Sequence, residues 1–129
     1  MNMKPTILAV DDSKAIRFLL QTIFSKKYQI VTAADPASAM YWLAKKNYPD
    51  LIISETALPD MEDWEFIANL KSSALYKDIP MIIVSSSTQQ EVEAECRTYR
   101  PDHFFSKPFN PAEMLEVVDA MFYNTEKIY

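Results

Sequence analysis

The sequence predicts an α/β fold, a five-stranded parallel sheet with helices on both sides. Short apolar runs alternate five times with segments whose apolar residues recur at helical spacing, which is typical of repeated strand–helix units. The runs in the middle of the chain, 51–54 and 81–84, are apolar nearly throughout, as strands covered on both faces are. Right-handed crossovers between five such units give an open, doubly wound sheet.

The first unit pairs the strand TILAV (6–10) with an amphipathic helix that Ser13 or Asp12 caps. The apolar residues of this helix lie at helical spacing, at Ile16, Leu19, Leu20 and Ile23. The second unit begins with the strand YQIVTA (28–33), which is rich in β-branched and aromatic residues.

The second helix is predicted over residues 35–46, with Asp35 as its cap and Pro36 in its first turn. Met40 and Leu43 are expected to face inward. The chain contains no glycine, so each left-handed turn must be made by another residue. Asn47, directly after this helix, is the expected left-handed cap.

The remaining three units follow the same alternation. Their strands are predicted at 51–54, 81–85 and 103–106. The helix after the third strand is centred on Trp64, Ile67 and Leu70. The helix within 88–100 turns Val92, Cys96 and Tyr99 inward. The last helix is capped by Asn110, begins at Pro111 and packs through Met114, Val117, Val118 and Met121.

Composition excludes several classes of protein. A net charge of −5 and a pI near 4.8 disfavour binding to nucleic acid, which requires a basic face. The apolar runs are too short to span a membrane, and the start has no signal-peptide pattern. A single cysteine, Cys96, gives neither an internal disulfide nor a zinc site. We therefore expect one cytoplasmic domain over residues 1–129, with no further domain.

Polar side chains follow the strands at one edge of the predicted sheet, where the carboxyl ends of parallel strands meet. They are Asp11, Asp12, Ser54, Glu55, Ser85, Ser86, Ser106 and Lys107. Three carboxylates in one pocket repel unless a cation intervenes, and Lys107 supplies only one positive charge. A Mg²⁺ ion could supply the rest. Taken singly, Asp11 and Asp12 are equally well explained as residues that cap a helix, and Lys107 as a solvated side chain.

Five segments, in order and at normal spacing, make the chain resemble the receiver domains of bacterial two-component response regulators. They are ILAVDDS (7–13), PDLIIS (49–54), LPDM (58–61), IPMIIVSSS (79–87) and FFSKPF (104–109). The resemblance implies a flavodoxin-like sheet in the order 2-1-3-4-5. It also implies a protein that is not an enzyme and that binds a protein partner, such as a histidine kinase, as a monomer or a weak homodimer.

The resemblance further assigns roles to single residues. Asp12 would bind Mg²⁺ directly and Asp11 through water, with Glu55 and the backbone carbonyl of Ala57 completing the set. The phosphoryl-contacting residues would be Ser85 and Lys107, and the switch aromatic would be Phe104. The Lys107–Pro108 bond would be cis. Asp63 and Arg100 stand where receivers commonly carry glycine.

Glu55 stands where the family has its phosphoryl-accepting aspartate. The extra methylene moves the attacking oxygen by more than about 1 Å, enough to cost on the order of a hundredfold in rate. Our hypothesis is a degenerate receiver, locked or biased toward the active arrangement, that binds its partner through the fourth helix, fifth strand and fifth helix. One alternative is a functional receiver that uses Glu55 as acceptor. The other is a flavin-binding protein, which the acids of DDSK disfavour.

Overall fold

A computed structural model describes residues 3–123 and confirms the predicted architecture. All strand pairs are parallel, in the order β2-β1-β3-β4-β5. The strands are Thr6–Val10 (β1), Gln29–Ala33 (β2), Leu51–Glu55 (β3), Met81–Ser85 (β4) and His103–Ser106 (β5). The helices are Lys14–Phe24 (α1), Pro36–Ala44 (α2), Glu65–Ser72 (α3), Glu93–Tyr99 (α4) and Pro111–Tyr123 (α5). The ends of the predicted 1–129 domain lie outside the described residues.

The core has two layers because each central strand is apolar on both faces. Along β1, Leu8 and Val10 pack toward α2 and α3, whereas Ile7 and Ala9 pack toward α1 and α5. Successive side chains of a strand point to opposite faces, so one short run of sequence contributes to both layers. All of these side chains are fully buried or nearly so. Each large aliphatic side chain buried in this way contributes about 1.5–3 kcal/mol to folding.

The predicted helix caps are present, and they fix where the polar loops leave the sheet. The Ser13 side chain, not that of Asp12, accepts a hydrogen bond from the amide of Ile16 at the start of α1. Asp35 accepts one from Ser38, which opens α2. Side-chain capping satisfies amides that have no partner within their own helix. At α5, Asn110 caps the amides of Ala112 and Glu113.

Two expectations about α2 are wrong by one residue. Met40 is exposed, and Ala39 is the buried residue one turn before Leu43. The left-handed residue after the helix is Lys46, with φ of 68°, while the side-chain amide of Asn47 donates to the Trp42 carbonyl. Asn47 therefore caps α2 through its side chain, and Lys46 takes the left-handed backbone conformation that was expected of Asn47.

The glycine-free chain places large residues in left-handed backbone conformations. Within residues 3–123 these are Lys46, Asp60, Trp64 and Arg100. Arg100 is one of the two residues that stand where receivers commonly carry glycine, and at the second such position the left-handed residue is Trp64, directly after Asp63. A left-handed conformation costs a residue with a Cβ roughly 1–2 kcal/mol. For Trp64 this cost is offset by burial and by stacking on Tyr99 of α4, with ring centroids 5.8 Å apart.

Helix α4 is the least firmly anchored of the helices. It covers 93–99, a shorter range than the segment 88–100 within which it was expected, and none of its side chains is fully buried. Val92, Cys96 and Tyr99 do face the core, as predicted, but each is only partly buried. Burial raises the pKa of the Cys96 thiol, which is consistent with a packing residue.

Candidate functional site

The register of the sheet brings the carboxyl ends of four strands to one level. Val10 pairs with Ser54, Glu55 with Val84, and Ser85 with Ser106. Asp11 follows β1, Glu55 ends β3, and Lys107 follows β5, so their side chains can meet above the sheet edge. This is the edge at which doubly wound proteins place their sites. The structure therefore brings together three of the residues that the sequence singled out.

The ammonium group of Lys107 lies between two buried carboxylates. Its Nζ is 2.9 Å from Asp11 Oδ2 and 2.6 Å from Glu55 Oε1. The exposed fractions of the three side chains are 17%, 2% and 5%, respectively. Burial disfavours the charged form of Lys107, but the pairing with Glu55 and Asp11 outweighs it and raises the pKa of the ammonium. Lys107 is therefore a charged, internal partner of both acids.

Asp11 is held from three directions. Its Oδ1 accepts a hydrogen bond from the Ser13 amide at 2.8 Å, and its backbone carbonyl accepts one from Arg17 Nη1 at 2.8 Å. Its Oδ2 is buried in ion-pair contact with Lys107 and has no aligned hydrogen-bond donor in the described part of the chain. Burial raises the pKa of this carboxyl, against the lowering effects of Ser13 and Lys107. The ammonium of Lys107 is thus the shared counterion of Asp11 and Glu55.

The second oxygen of Glu55 is fixed by the residues that follow it. Oε2 accepts from the amide of Thr56 at 2.8 Å, from its hydroxyl at 3.2 Å and from the amide of Ala57 at 3.2 Å. With Lys107 on Oε1, both oxygens of the carboxylate are engaged. The side chain is thereby held inside the pocket and does not turn toward solvent.

Thr56 is a site residue that the sequence reasoning missed. Its hydroxyl donates to Glu55 and lies 3.3 Å from Ser85 Oγ, which in turn accepts from the Ser87 amide at 3.0 Å. A hydroxyl donates one proton, so Ser85 is the donor to Thr56. The signal in the sequence was a small hydroxyl directly after a strand-end acid. Glu55 is therefore linked to Ser85 through Thr56, and to Lys107 directly.

Replacing Thr56 with valine should lower the free energy of unfolding by about 1–3 kcal/mol, because the buried carboxylate and the Ser85 hydroxyl both lose a partner. Urea denaturation followed by circular dichroism measures the change. Thr56→Ser keeps the hydroxyl and serves as the matched control, with a loss of less than about 1 kcal/mol. A loss in Thr56→Ser as large as that in Thr56→Val would contradict the prediction, because keeping the hydroxyl would then give no advantage.

The other predicted residues take no part in the ion pairs of this centre. Asp12 is exposed, in contrast to Asp11. Ala57 contacts the site through its amide, whereas its carbonyl was the predicted metal ligand. Phe104 is half-buried and packs against the core on the side of α2 and α3. Ser106 donates to the Ser87 carbonyl at 3.2 Å.

Lys107 engages two of the predicted Mg²⁺ ligands in this arrangement. Asp11 and Glu55 direct one oxygen each at Lys107, and Asp12 is exposed. Across residues 3–123, no three Asp, Glu, His or Cys side chains converge as a metal cluster. The ligand set of Asp12, Glu55, Asp11 and the Ala57 carbonyl stays a prediction.

Comparison with known proteins decides the family. The family model described as "Response regulator receiver domain" matches residues 7–119. The chain belongs to this family. As a receiver domain it is a component of two-component signalling, and receivers interact with histidine kinases and other proteins. Its Lys107–Pro108 bond is cis, as the resemblance implied.

Individual relatives agree with the assignment. Protein PilG of Pseudomonas aeruginosa is 28% identical over 115 residues, covering 88% of this chain and 84% of PilG. Histidine kinase P4 of Formosa agariphila is 32% identical over 110 residues, covering 85% of this chain but only 8% of that kinase. The structure of chemotaxis response regulator CheY4 of Vibrio cholerae matches with a TM-score of 0.82 at 30% identity, covering 93% of this receiver and all of that chain. No helix of residues 3–123 is both long and apolar enough to cross a membrane.

Proposed function

We propose that this receiver is a phosphorylation-independent interaction module of the cytoplasm, held in one state by the contact between Glu55 and Lys107. In this proposal Glu55 occupies the position at which receivers accept a phosphoryl group. The observation that carries the proposal is the 2.6 Å contact between Glu55 Oε1 and Lys107 Nζ in a buried pocket. The chain has no catalytic activity of its own and works by binding a partner.

The environment of Glu55 supports the loss of acceptor chemistry. Attack on a phosphodonor requires a carboxylate oxygen in line with the leaving group. Here Oε1 is paired with an ammonium and Oε2 accepts hydrogen bonds from Thr56 and Ala57. A charged partner lowers the nucleophilicity of the oxygen, and the extra methylene displaces it from where an aspartate oxygen would lie. The two effects act in the same direction.

The same contacts support imitation of a modified state. Lys107 is one of the two groups that would contact a phosphoryl group, and the other, Ser85, is reached through Thr56. Glu55 brings one negative charge to this place, whereas a phosphoryl group brings nearly two. The imitation is therefore partial, with a direct contact at Lys107 and an indirect one, through Thr56, at Ser85.

The partner surface of this proposal is the face formed by α4, β5 and α5. A groove of about 390 Å³ lies on the β5 and α5 part of this face, and its lining includes Phe104, Phe105, Phe109 and Val117. Aromatic side chains are enriched at protein interfaces. Loosely anchored α4 borders this face, so its position can adjust to a partner. A histidine kinase is one partner that fits the family, and the receiver would bind it as a monomer or weak homodimer.

Incubation with a small phosphodonor and Mg²⁺, followed by intact mass spectrometry, tests the proposal. The expected result is an unmodified chain under conditions that fully label a receiver with aspartate at this position. Rapid, stoichiometric addition of one phosphoryl group at Glu55 would instead make the chain an ordinary receiver with a glutamate acceptor. Identification of the modified residue by fragmentation separates labelling at Glu55 from labelling elsewhere.

A further inference from the structure

We propose that two copies of this receiver associate through the outer edge of β2, with the two strands antiparallel and Val31 of one copy opposite Val31 of the other. β2 and β5 lie at opposite ends of the strand order, so this interface is separate from the partner face formed by α4, β5 and α5. It also does not depend on whether Glu55 accepts a phosphoryl group. The two sheets would continue into one sheet across the dimer.

The first support is that the outward backbone groups of β2 have no neighbouring strand. Within residues 3–123, β2 pairs with β1 alone. This pairing begins where the Gln29 amide donates to the Pro5 carbonyl at 2.9 Å. Alternate residues of a parallel strand bond the same neighbour, so the amides and carbonyls of Ile30 and Thr32 point away from β1. Such a row of backbone groups is a template for a further strand.

The second support is that the edge of β2 lacks the residues that prevent sheet edges from pairing. The segment YQIVTAA (28–34) has no charged residue and no proline, and it includes three β-branched residues, which favour strands. The other edge strand, β5, is preceded by PD (101–102) and followed by KP (107–108). Charged residues and proline at an edge disfavour pairing with another strand. Of the two edges, β2 is therefore the one open to a second strand.

The third support is that an antiparallel pair centred on Val31 uses the outward groups of both copies. Ile30 of each copy then lies opposite Thr32 of the other, and each such pair exchanges both of its backbone hydrogen bonds. Centring the pair on Ile30 would instead place Thr32 opposite Tyr28, whose amide already bonds within its own chain. A two-fold axis at Val31 makes the contact identical in the two copies, which is the commonest symmetry of homo-oligomers.

The fourth support is the complementarity of charge at the two ends of β2. Lys27 precedes the strand and Asp35 follows it, so antiparallel pairing brings opposite charges together, whereas parallel pairing would bring lysine to lysine. A groove of about 540 Å³ lies beside the amino end of β2, and its lining includes Gln29, Trp42 and Lys46 but no carboxylate. Residue 33 of the second copy would lie opposite Gln29, and the chain that follows it would carry Asp35 toward this groove.

Sedimentation equilibrium of the full chain at pH 7 tests the inference. We expect the average mass to rise from 14.9 kDa toward twice that value as the protein concentration increases to millimolar. Thr32→Pro removes an outward amide and no bond to β1. Because the two-fold axis repeats this loss, the dimer should dissociate about tenfold more readily or more. A chain that stays monomeric at millimolar concentration, or a dimer that Thr32→Pro leaves unchanged, would overturn the inference.

Disulfide cross-linking tests the register and does not require Thr32→Pro to fold. Residue 31 would meet its own copy at a non-hydrogen-bonded position, where Cα atoms are about 4.5 Å apart and a disulfide can form. In a Cys96→Ser background, Val31→Cys should therefore give a covalent dimer with oxidised glutathione. Gln29→Cys is the matched control: its position is more exposed but would face residue 33 of the second copy, so it should cross-link at least about tenfold more slowly. Equal rates, or no covalent dimer from Val31→Cys, would overturn the inference.

Discussion

Replacing Glu55 with aspartate is expected to produce a receiver that a small phosphodonor labels stoichiometrically, at a rate on the order of a hundredfold above that of the unaltered chain. Shortening the side chain by one methylene moves the carboxylate away from Lys107, whose Nζ now lies 2.6 Å from Glu55 Oε1. The carboxylate oxygen is then no longer paired with the ammonium. It also lies closer to the backbone, where the aspartate of a receiver attacks the phosphodonor. Intact mass spectrometry over a time course, with phosphodonor and Mg²⁺ in the buffer, measures the rate.

Two controls separate the effect of length at this position from other causes. Glu55→Gln removes the nucleophile and should stay unlabelled. Glu113→Asp makes the same change at an exposed position of α5 and should behave like the unaltered chain. A folded Glu55→Asp variant that resists labelling would mean that the length of the side chain is not what prevents the reaction.

Replacing Lys107 with methionine is expected to lower the free energy of unfolding by about 3–5 kcal/mol at pH 7. The change leaves Asp11 and Glu55 buried with no cation between them, and the cost of an uncompensated buried charge far exceeds the net gain from the original pair. Equilibrium urea denaturation measures the loss. Because natural domains are stable by only about 5–15 kcal/mol, a loss of this size is easily resolved.

Lys27→Met is the matched control for the lysine. Lys27 also contacts an acid at 2.9 Å, Asp119, but its side chain is 56% exposed. An exposed ion pair contributes about 0–1 kcal/mol, so this variant should lose far less stability. Equal losses in the two lysine variants would indicate that burial does not distinguish the Lys107 pair.

The fold was predictable because the signals for it are local and repeated. Each buried strand is a short apolar run. Each confirmed cap depends only on a side chain at the start of its own helix, as at Ser13, Asp35 and Asn110. The convergence of Asp11, Glu55 and Lys107 followed from one rule, that parallel strands end at the same edge. These features do not depend on fine details of side-chain direction.

Most differences between expectation and structure concern the direction of a side chain over a distance of one residue. Asp11 and Asp12 are adjacent and chemically identical, yet one is buried and the other exposed, because the backbone after β1 turns between them. Lys46 and not Asn47 is left-handed, and Ala39 and not Met40 is buried. Thr56 was missed because its role requires knowing that the Glu55 side chain folds back over its own loop. The pattern of apolar residues predicts the helix or strand, whereas tertiary contacts determine which way each side chain points.

A double-mutant cycle of Glu55→Gln and Lys107→Gln, measured as free energies of unfolding at pH 7, tests the central claim most directly, namely that these two side chains form a buried pair. Coupled residues in contact show interaction energies of about 0.5–3 kcal/mol, and we expect a value in the upper half of that range. The double variant should therefore be more stable than the sum of the single losses predicts. Additive losses, with a coupling below about 0.3 kcal/mol, would mean that Glu55 and Lys107 are not paired in the folded protein.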